Sequence, residues 1–511
     1  MESKQKIQEQ DKEKHNKDKS AKFSKNLINF LLIILTLAII FLQPFVCELE
    51  ASDELWNYQN VLKLYNKFLL YRDANTVPTP IFFYIGLIFF KIFGSSLLAF
   101  RIYNTFIYIF IFTLIYKILR KLNFSKHIAL LSMILIFIII LPIINSGATY
   151  NALVMGFFLL GVYLYISKNE NMLLHGLVMF LVFFTKQNIG FYYILAVIIC
   201  DLYLNKFSKK FFINLIKKFL IFFALSGFTL LLFYTSSTLA DFISFAFGGI
   251  FEFREKNISV ELTAHVVMIA LLPFIMYPFI MLQKDKLFKN IINKNILDNI
   301  TILIVFCFFA TFIAYPIINT SHLLFALPLH IIFSFYIFDF IMLEDFFDNE
   351  QSVTGTKIIS IILLIVILLR FGVHYISIRR DNSFVKDPNS KFYGVMMENE
   401  QIQITKTMEK YITEQNNKNI DVIIVAFDSA FPMTELGQSH GVYDLVFNGN
   451  LGYNGVERIK NDILSRTNTE YLIFSNPDDL CYQDSTEVYN FIIDNLEFKG
   501  NIEHYSIYST N

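Results

Sequence analysis

Asp53 and Glu54 stand side by side a few residues beyond the first long apolar run, Leu27 to Val46, with amphipathic and apolar sequence after them. An acid held at a membrane surface can take the proton of an acceptor hydroxyl while a group departs from a lipid-linked phosphate. That chemistry also needs positive charge or hydrogen-bond donors at the leaving phosphate. Three residues at the ends of apolar runs are candidates: Arg101 in SLLAFRIYN, Lys186 in FFTKQNIGF and His322 in YPIINTSHLLFALP. Each has a plainer reading. Asp53 and Glu54 can charge and cap the helix that begins at Leu55; Arg101 and Lys186 can snorkel to headgroups; His322 can be a satisfied interfacial histidine.

The elements that would position these groups are membrane helices. The chain of 511 residues is 55% hydrophobic with 58 phenylalanines and a mean hydropathy of +0.50, far from a soluble domain. A formal net charge of zero gives no nucleic-acid signal. Cys47, Cys200, Cys307 and Cys481 lie far apart without CxxC spacing, so they suggest neither a metal knuckle nor a disulfide framework; a Cys47–Cys481 bridge stays open. Residues 1–25 are a Lys-rich polar tail, expected to be disordered and cytosolic. Lacking a small-residue cleavage site, the run after it reads as an uncleaved signal anchor.

Further spans are expected near 98–119, 127–144, 150–167, 171–185, 188–205, 212–234, 262–282, 299–318, 322–343 and 357–376, eleven in all. This count leaves Arg120, Lys121, Lys168, Lys206, Lys210, Lys217 and Lys218 on the cytosolic side, as the positive-inside rule expects, and the C-terminus outside. The stretch Pro80 to Gly94 resembles a span, but about 14 helical residues reach only ~21 Å against a ~30 Å core. It is read as a helix lying in the outer interface. Upstream, Leu55, Tyr58, Leu62, Tyr65 and Leu69 recur at helical spacing, so the loop from Cys47 to Ser96 becomes a structured platform. A second outer loop, Thr235 to Glu261, carries another apolar stretch interrupted by Gly248 and Gly249.

After Ile376 a linker with Pro388 leads into alternating helical and strand patterns. Helices are expected at Met397–Gln415, Gly455–Ser465 and Thr486–Leu496, and strands at Val422–Phe427, Tyr471–Phe474 and Ile502–Tyr508. The expected organisation is a membrane domain over 26–378, with its structured outer loop at 47–97, and an extracytoplasmic α/β domain over 392–511. Asp428, Glu435, His440 and Asp444 offer loop polar groups there, read as solvated.

The ordered set ASDELWNYQ, LYRDANTVPTPIFFYIGLIFFKIFG and SLLAFRIYN resembles the first outer loop of the GT-C membrane glycosyltransferases. The nearest likeness is to the protein O-mannosyltransferase and aminoarabinose-transferase superfamily and its bacterial mannosyltransferase-like relatives. The likeness covers about 60 residues well and the other spans more loosely, and it is not extended to the C-terminal region. It implies a GT-C-like fold and a polyprenyl-phosphate sugar donor used with inversion, with a lipid, glycan or protein acceptor. It further implies Asp53 as catalytic base with Glu54 beside it, and Arg101 as ligand of the lipid phosphate, with Lys186 and His322 as possible helpers. Where many relatives carry a second acid, this chain has Tyr150 and Asn151. A neutral amide is a poor ligand for a hard cation, so no metal is assigned and dependence on a divalent ion is left open. The rival expectations are a transporter or flippase of lipid-linked glycans, which would favour midspan charges, and a non-catalytic polysaccharide-assembly protein.

Overall fold

A computed structural model describes residues 53–145, 149–251, 260–287, 294–315, 318–342, 350–426, 430–437, 441–443, 446, 450–475 and 483–510, together with parts of 19–49. Most of the polar tail, Cys47, Cys481, Asp428, His440 and Asp444 lie outside the described residues.

The membrane part begins with α1 (Asn26–Ala38). Two short helices follow, α2 (Asp53–Tyr65) and α3 (Ile81–Phe93). The bundle then runs through α4 (Leu97–Lys121), α5 (Lys126–Asn145), α6 (Tyr150–Ile166), α7 (Met172–Phe183), α8 (Gln187–Asn205) and α9 (Lys209–Thr235). After α10 (Leu239–Ile243), α11 (Ala264–Leu287) and α12 (Lys294–Thr311) come the one-turn α13 (Thr320–Leu324), then α14 (Leu327–Met342) and α15 (Glu350–Ile378). Six segments, on α4, α5, α8, α9, α12 and α15, are long and apolar enough to cross a membrane. The chain is thus a multi-pass membrane protein. The remaining expected spans coincide with shorter apolar helices, α6 with 17 residues and α7 with 12 among them.

Caps explain the boundaries. Ser96, Thr149, Asn171 and Ser208 each accept a backbone N–H of the first turn, in α4, α6, α7 and α9. The helix expected to lie in the outer interface is α3, which starts after Pro80 and stops at Gly94. It packs on α2. The segment expected as a second outer loop holds α10, continued by a π-helical turn, Ser244–Gly248. Its Phe242 and Phe245 pack on Tyr71 of the first loop, with ring centroids 5.1 and 6.3 Å away. A two-residue parallel ladder joins β1 (Val260–Glu261) to β2 (Ile318–Asn319).

The segment expected as a linker is structured. Its β3 (Asn382–Phe384) pairs antiparallel with β4 (Met396–Glu398), and Lys391 accepts the Leu97 N–H at 2.9 Å while its Nζ donates to Ser95 Oγ at 3.0 Å. Beyond it lie α16 (Asn399–Asn416), β5 (Asp421–Ile424), α17 (Ala430–Leu436), α18 (Gly455–Ser465), β6 (Thr469–Phe474), α19 (Gln483–Asn495), β7 (Glu497–Ile502) and β8 (Tyr505–Ser509). The sheet order is β5-β6-β8-β7, with β5 and β6 parallel and the other pairs antiparallel. Every residue of the central β6 is buried, so an apolar run replaces alternation there. A core built on Met408, Ile424, Ile459, Leu472 and Ile492 is separate from the core of the helix bundle. The single strand expected at Ile502–Tyr508 is corrected to a hairpin: β7 and β8 turn at Glu503, whose φ is +48°. A glutamate in that backbone region gives no Gly or Asn turn signal to read.

Candidate active site

Asp53 opens α2, where an acid complements the unpaired N–H groups of the first turn. It is exposed, while Glu54, rotated ~100° about the helix axis, is buried. Glu54 accepts from Arg101 Nε and Nη2, both at 2.8 Å, and the side chains are 1% and 0% exposed. Arg101, expected to meet a lipid phosphate, therefore clamps α4 to α2 through a bidentate ion pair. The neighbouring Tyr58 hydroxyl donates to the Ser95 carbonyl at 2.7 Å, and the Trp56 indole to that of Asn75 at 3.1 Å. These bonds fix both faces of α2.

Lys186 lies in the short connection between α7 and α8. Its Nζ donates to Asn151 Oδ1 at 2.8 Å and to the Ile313 carbonyl at 3.3 Å, and sits 5.6 Å from the centre of the Tyr150 ring. Tyr150 and Asn151 thus line the place of an ammonium group. Burial pushes the Lys186 ammonium from its ordinary 10.5 down to about 7, with Asp53 acting in the opposite direction. Asp53 is close enough for its charge to act on both Lys186 and Tyr150.

The connection that carries Lys186 is held from three sides. The Ile81 N–H donates to the Phe184 carbonyl and Thr79 Oγ1 to that of Phe183, both at 2.8 Å. Gln187 Nε2 bridges the carbonyls of Val77, at 3.1 Å, and Ala246, at 2.5 Å, tying the segment before α3 to the turn after α10. Asn188 Nδ2 donates to the Tyr315 carbonyl at 2.9 Å. The run of polar residues Thr185 to Asn188 between two apolar helices was the sequence signal for this hub, of which the sequence reading singled out only Lys186.

His322 is set by α13. Asn319, the last residue of β2, caps that helix by accepting the His322 N–H at 2.9 Å, and its Oδ1 lies 2.7 Å from His322 Nδ1. His322 also feels the charge of Lys186. The Asp53 charge thus acts on Lys186, and the Lys186 charge acts on His322, while Glu54 pairs with Arg101 in the buried ion pair at the next position of α2. Chemically this is a carboxylate at a helix start within electrostatic reach of a partly desolvated cation, which in turn acts on an imidazole.

No family model matches the chain, and no curated protein matches it in sequence. Solved structures do match in fold. ArnT from Cupriavidus metallidurans in the apo state superposes with a TM-score of 0.57 at 9% identity, covering 94% of this chain and 97% of that one. The same protein bound to undecaprenyl phosphate gives 0.55 at 10% identity, covering 94% and 98%. The likeness drawn from the first outer loop therefore holds across nearly the whole chain at the level of architecture, and the protein has an ArnT-like, GT-C-type membrane fold.

Proposed function

We propose that this protein is an integral membrane glycosyltransferase that moves a sugar from a polyprenyl phosphate to a lipid, glycan or protein hydroxyl on the outer face of the cell membrane. In this reading the N-terminus is cytosolic and the region beyond residue 392 is extracytoplasmic. The observation that carries it is that the charge of Asp53, exposed at the head of α2, acts on the buried ammonium of Lys186, which Asn151 and the Ile313 carbonyl hold in place. It is supported by a fold shared with a protein solved with undecaprenyl phosphate bound.

Asp53 takes the acceptor proton as the acceptor oxygen bonds to the anomeric carbon. The bond from that carbon to the phosphate oxygen breaks from the opposite face, its electron pair leaves on the phosphate, and configuration inverts. Lys186 stabilises the charge that builds on the leaving oxygen. The positions of these groups on tied-down loops supply orientation before the substrate arrives. Glu54 and Arg101 act through geometry, holding α2 so that Asp53 keeps its place.

Binding of undecaprenyl phosphate to the purified full-length protein tests the donor class. The phosphate should bind at least tenfold more tightly than uncharged undecaprenol, and Lys186→Gln should remove most of that preference. Equal affinity for phosphate and alcohol would remove the lipid-phosphate donor from the proposal.

A further inference from the structure

At the opposite end of the bundle lies a cavity of about 420 Å³ that the transfer chemistry does not use. The helix α8 starts beside Lys186 and ends at Asn205, so ~28 Å of helix separates the two sites. The walls come from the ends of α6 and α8 and the starts of α7, α9 and α12. On α9, Lys210, Asn214 and Lys217 recur at spacings of four and three, which places them on one face of that helix.

The floor is a pre-built polar network. Lys218 Nζ donates to both oxygens of Asp201, at 2.8 and 2.7 Å, and the Tyr165 hydroxyl donates to Asp201 Oδ1 at 2.8 Å. Gly176 lets α7 close on α9 here, since a Cβ would come within 2.6 Å of the Lys218 carbonyl oxygen. With Asp201 neutralised by Lys218, the mouth keeps Lys168, Lys210 and Lys217 against Glu170 and Asp298. Glu170 pairs with Lys210 only at 3.6 Å between exposed groups, an interaction of small worth. Lys217 has no ion-pair partner among the described residues.

One lining group asks for a donor. His175 is 2% exposed, and its Nε2 lies 3.0 Å from the Asn169 carbonyl, so Nε2 carries the proton. That leaves Nδ1 as a buried acceptor with no partner among the described residues. Beside the mouth, Leu173 and Leu177 on α7 and Ile213, Ile216 and Leu220 on α9 are exposed apolar side chains. A basic mouth, an unfilled acceptor and an adjoining apolar flank together describe an amphiphile.

We propose that this cavity binds the headgroup of an anionic phospholipid carrying a free hydroxyl, of the glycerol-phosphate type. Lys210 and Lys217 take the phosphate, His175 Nδ1 accepts from the hydroxyl, and the acyl chains lie along α7 and α9.

Native mass spectrometry of the purified full-length protein tests this, with phosphatidylglycerol, phosphatidic acid and phosphatidylcholine as probes. Phosphatidylglycerol should be retained at least tenfold over phosphatidylcholine. The double variant Lys210→Gln with Lys217→Gln, changed only at exposed side chains, should bring that ratio close to one. His175→Ala should weaken phosphatidylglycerol while leaving phosphatidic acid, which lacks the headgroup hydroxyl, unaffected. Equal retention of phosphatidylglycerol and phosphatidylcholine, or a ratio that survives the lysine double variant, overturns the site. Displacement of the lipid by millimolar glycerol 1-phosphate overturns the lipid assignment in favour of a soluble phosphate ester. The lysine variants decide the matter if His175→Ala does not fold.

Discussion

Arg101 holds Glu54 through two parallel hydrogen bonds of 2.8 Å, and both side chains are shut off from solvent. Removing one partner of such a pair strands the other charge, at a cost of about 3–5 kcal/mol. Arg101→Ala should therefore lower the thermal midpoint of the detergent-solubilised protein sharply. The double change Glu54→Leu with Arg101→Met should recover most of that loss, because well-packed apolar replacements of a buried pair are often neutral. A double variant as unstable as the single one would refute the clamp.

Lys186 links structure to pH. Its folded-state value of about 7 lies below the ordinary 10.5, so the ammonium needed at the leaving phosphate is lost as pH rises through about 7. The second-order rate constant for transfer, which reports the free enzyme, should fall above that pH, and Lys186→Arg should abolish this alkaline fall even if its overall rate is lower. The sign for stability is opposite. Between about 7 and 10.5 the unfolded chain binds more protons at this residue than the folded one, so this group's contribution to stability rises with pH across that window. A rate profile that is the same for wild type and Lys186→Arg would remove Lys186 from the leaving-group role.

Gly190 lies one turn after Lys186 and donates its N–H to the Lys186 carbonyl at 2.9 Å. A Cβ at this position would stand 2.2 Å from Phe183 Cα, which is backbone and cannot swing aside. Gly190→Ala should force α7 and α8 apart and cost about 1–3 kcal/mol, with a larger loss of transfer than of stability because the shift moves Lys186. Unchanged melting and unchanged transfer would count against this packing.

Asn75 joins the segment between α2 and α3 to the C-terminal region. Its Nδ2 donates to the Val442 carbonyl at 2.6 Å, and its Oδ1 accepts from Arg458 Nη2 at 3.1 Å. Asn75→Ala leaves a partly buried carbonyl and a guanidinium without these bonds, at about 1–3 kcal/mol. Limited proteolysis in detergent should release a C-terminal fragment faster in this variant than in the wild type, and equal rates would show that other contacts hold the two parts together.

The legible parts of the fold were those written in local pattern. Apolar runs placed α4 to α9 to within about three residues at each end, whereas α12 (Lys294–Thr311) and α15 (Glu350–Ile378) depart by up to seven from the expected 299–318 and 357–376, and their polar first turns carry no apolar signal. The helix at Gly455–Ser465 was readable to the residue because polar sequence flanks a strongly amphipathic run. What stayed hidden was long-range pairing. Nothing in FFTKQNIGF says that Lys186 will reach Asn151, 35 residues earlier, and nothing in SLLAFRIYN says that Arg101 will reach inward to Glu54. The β7–β8 turn escaped because a glutamate occupies the left-handed backbone position, and the β3–β4 hairpin because three-residue strands carry too little alternation to read.

The central claim is that the Asp53 carboxylate accepts the acceptor's proton during transfer from a polyprenyl phosphate. Its most direct test is transfer of a radiolabelled sugar from polyprenyl phosphate in membranes containing wild-type protein or Asp53→Asn, matched for expression. Loss of general-base help costs about 10²–10⁴-fold, so the variant should show a rate lower by at least a hundredfold with unchanged protein level. Full activity in Asp53→Asn would contradict the account.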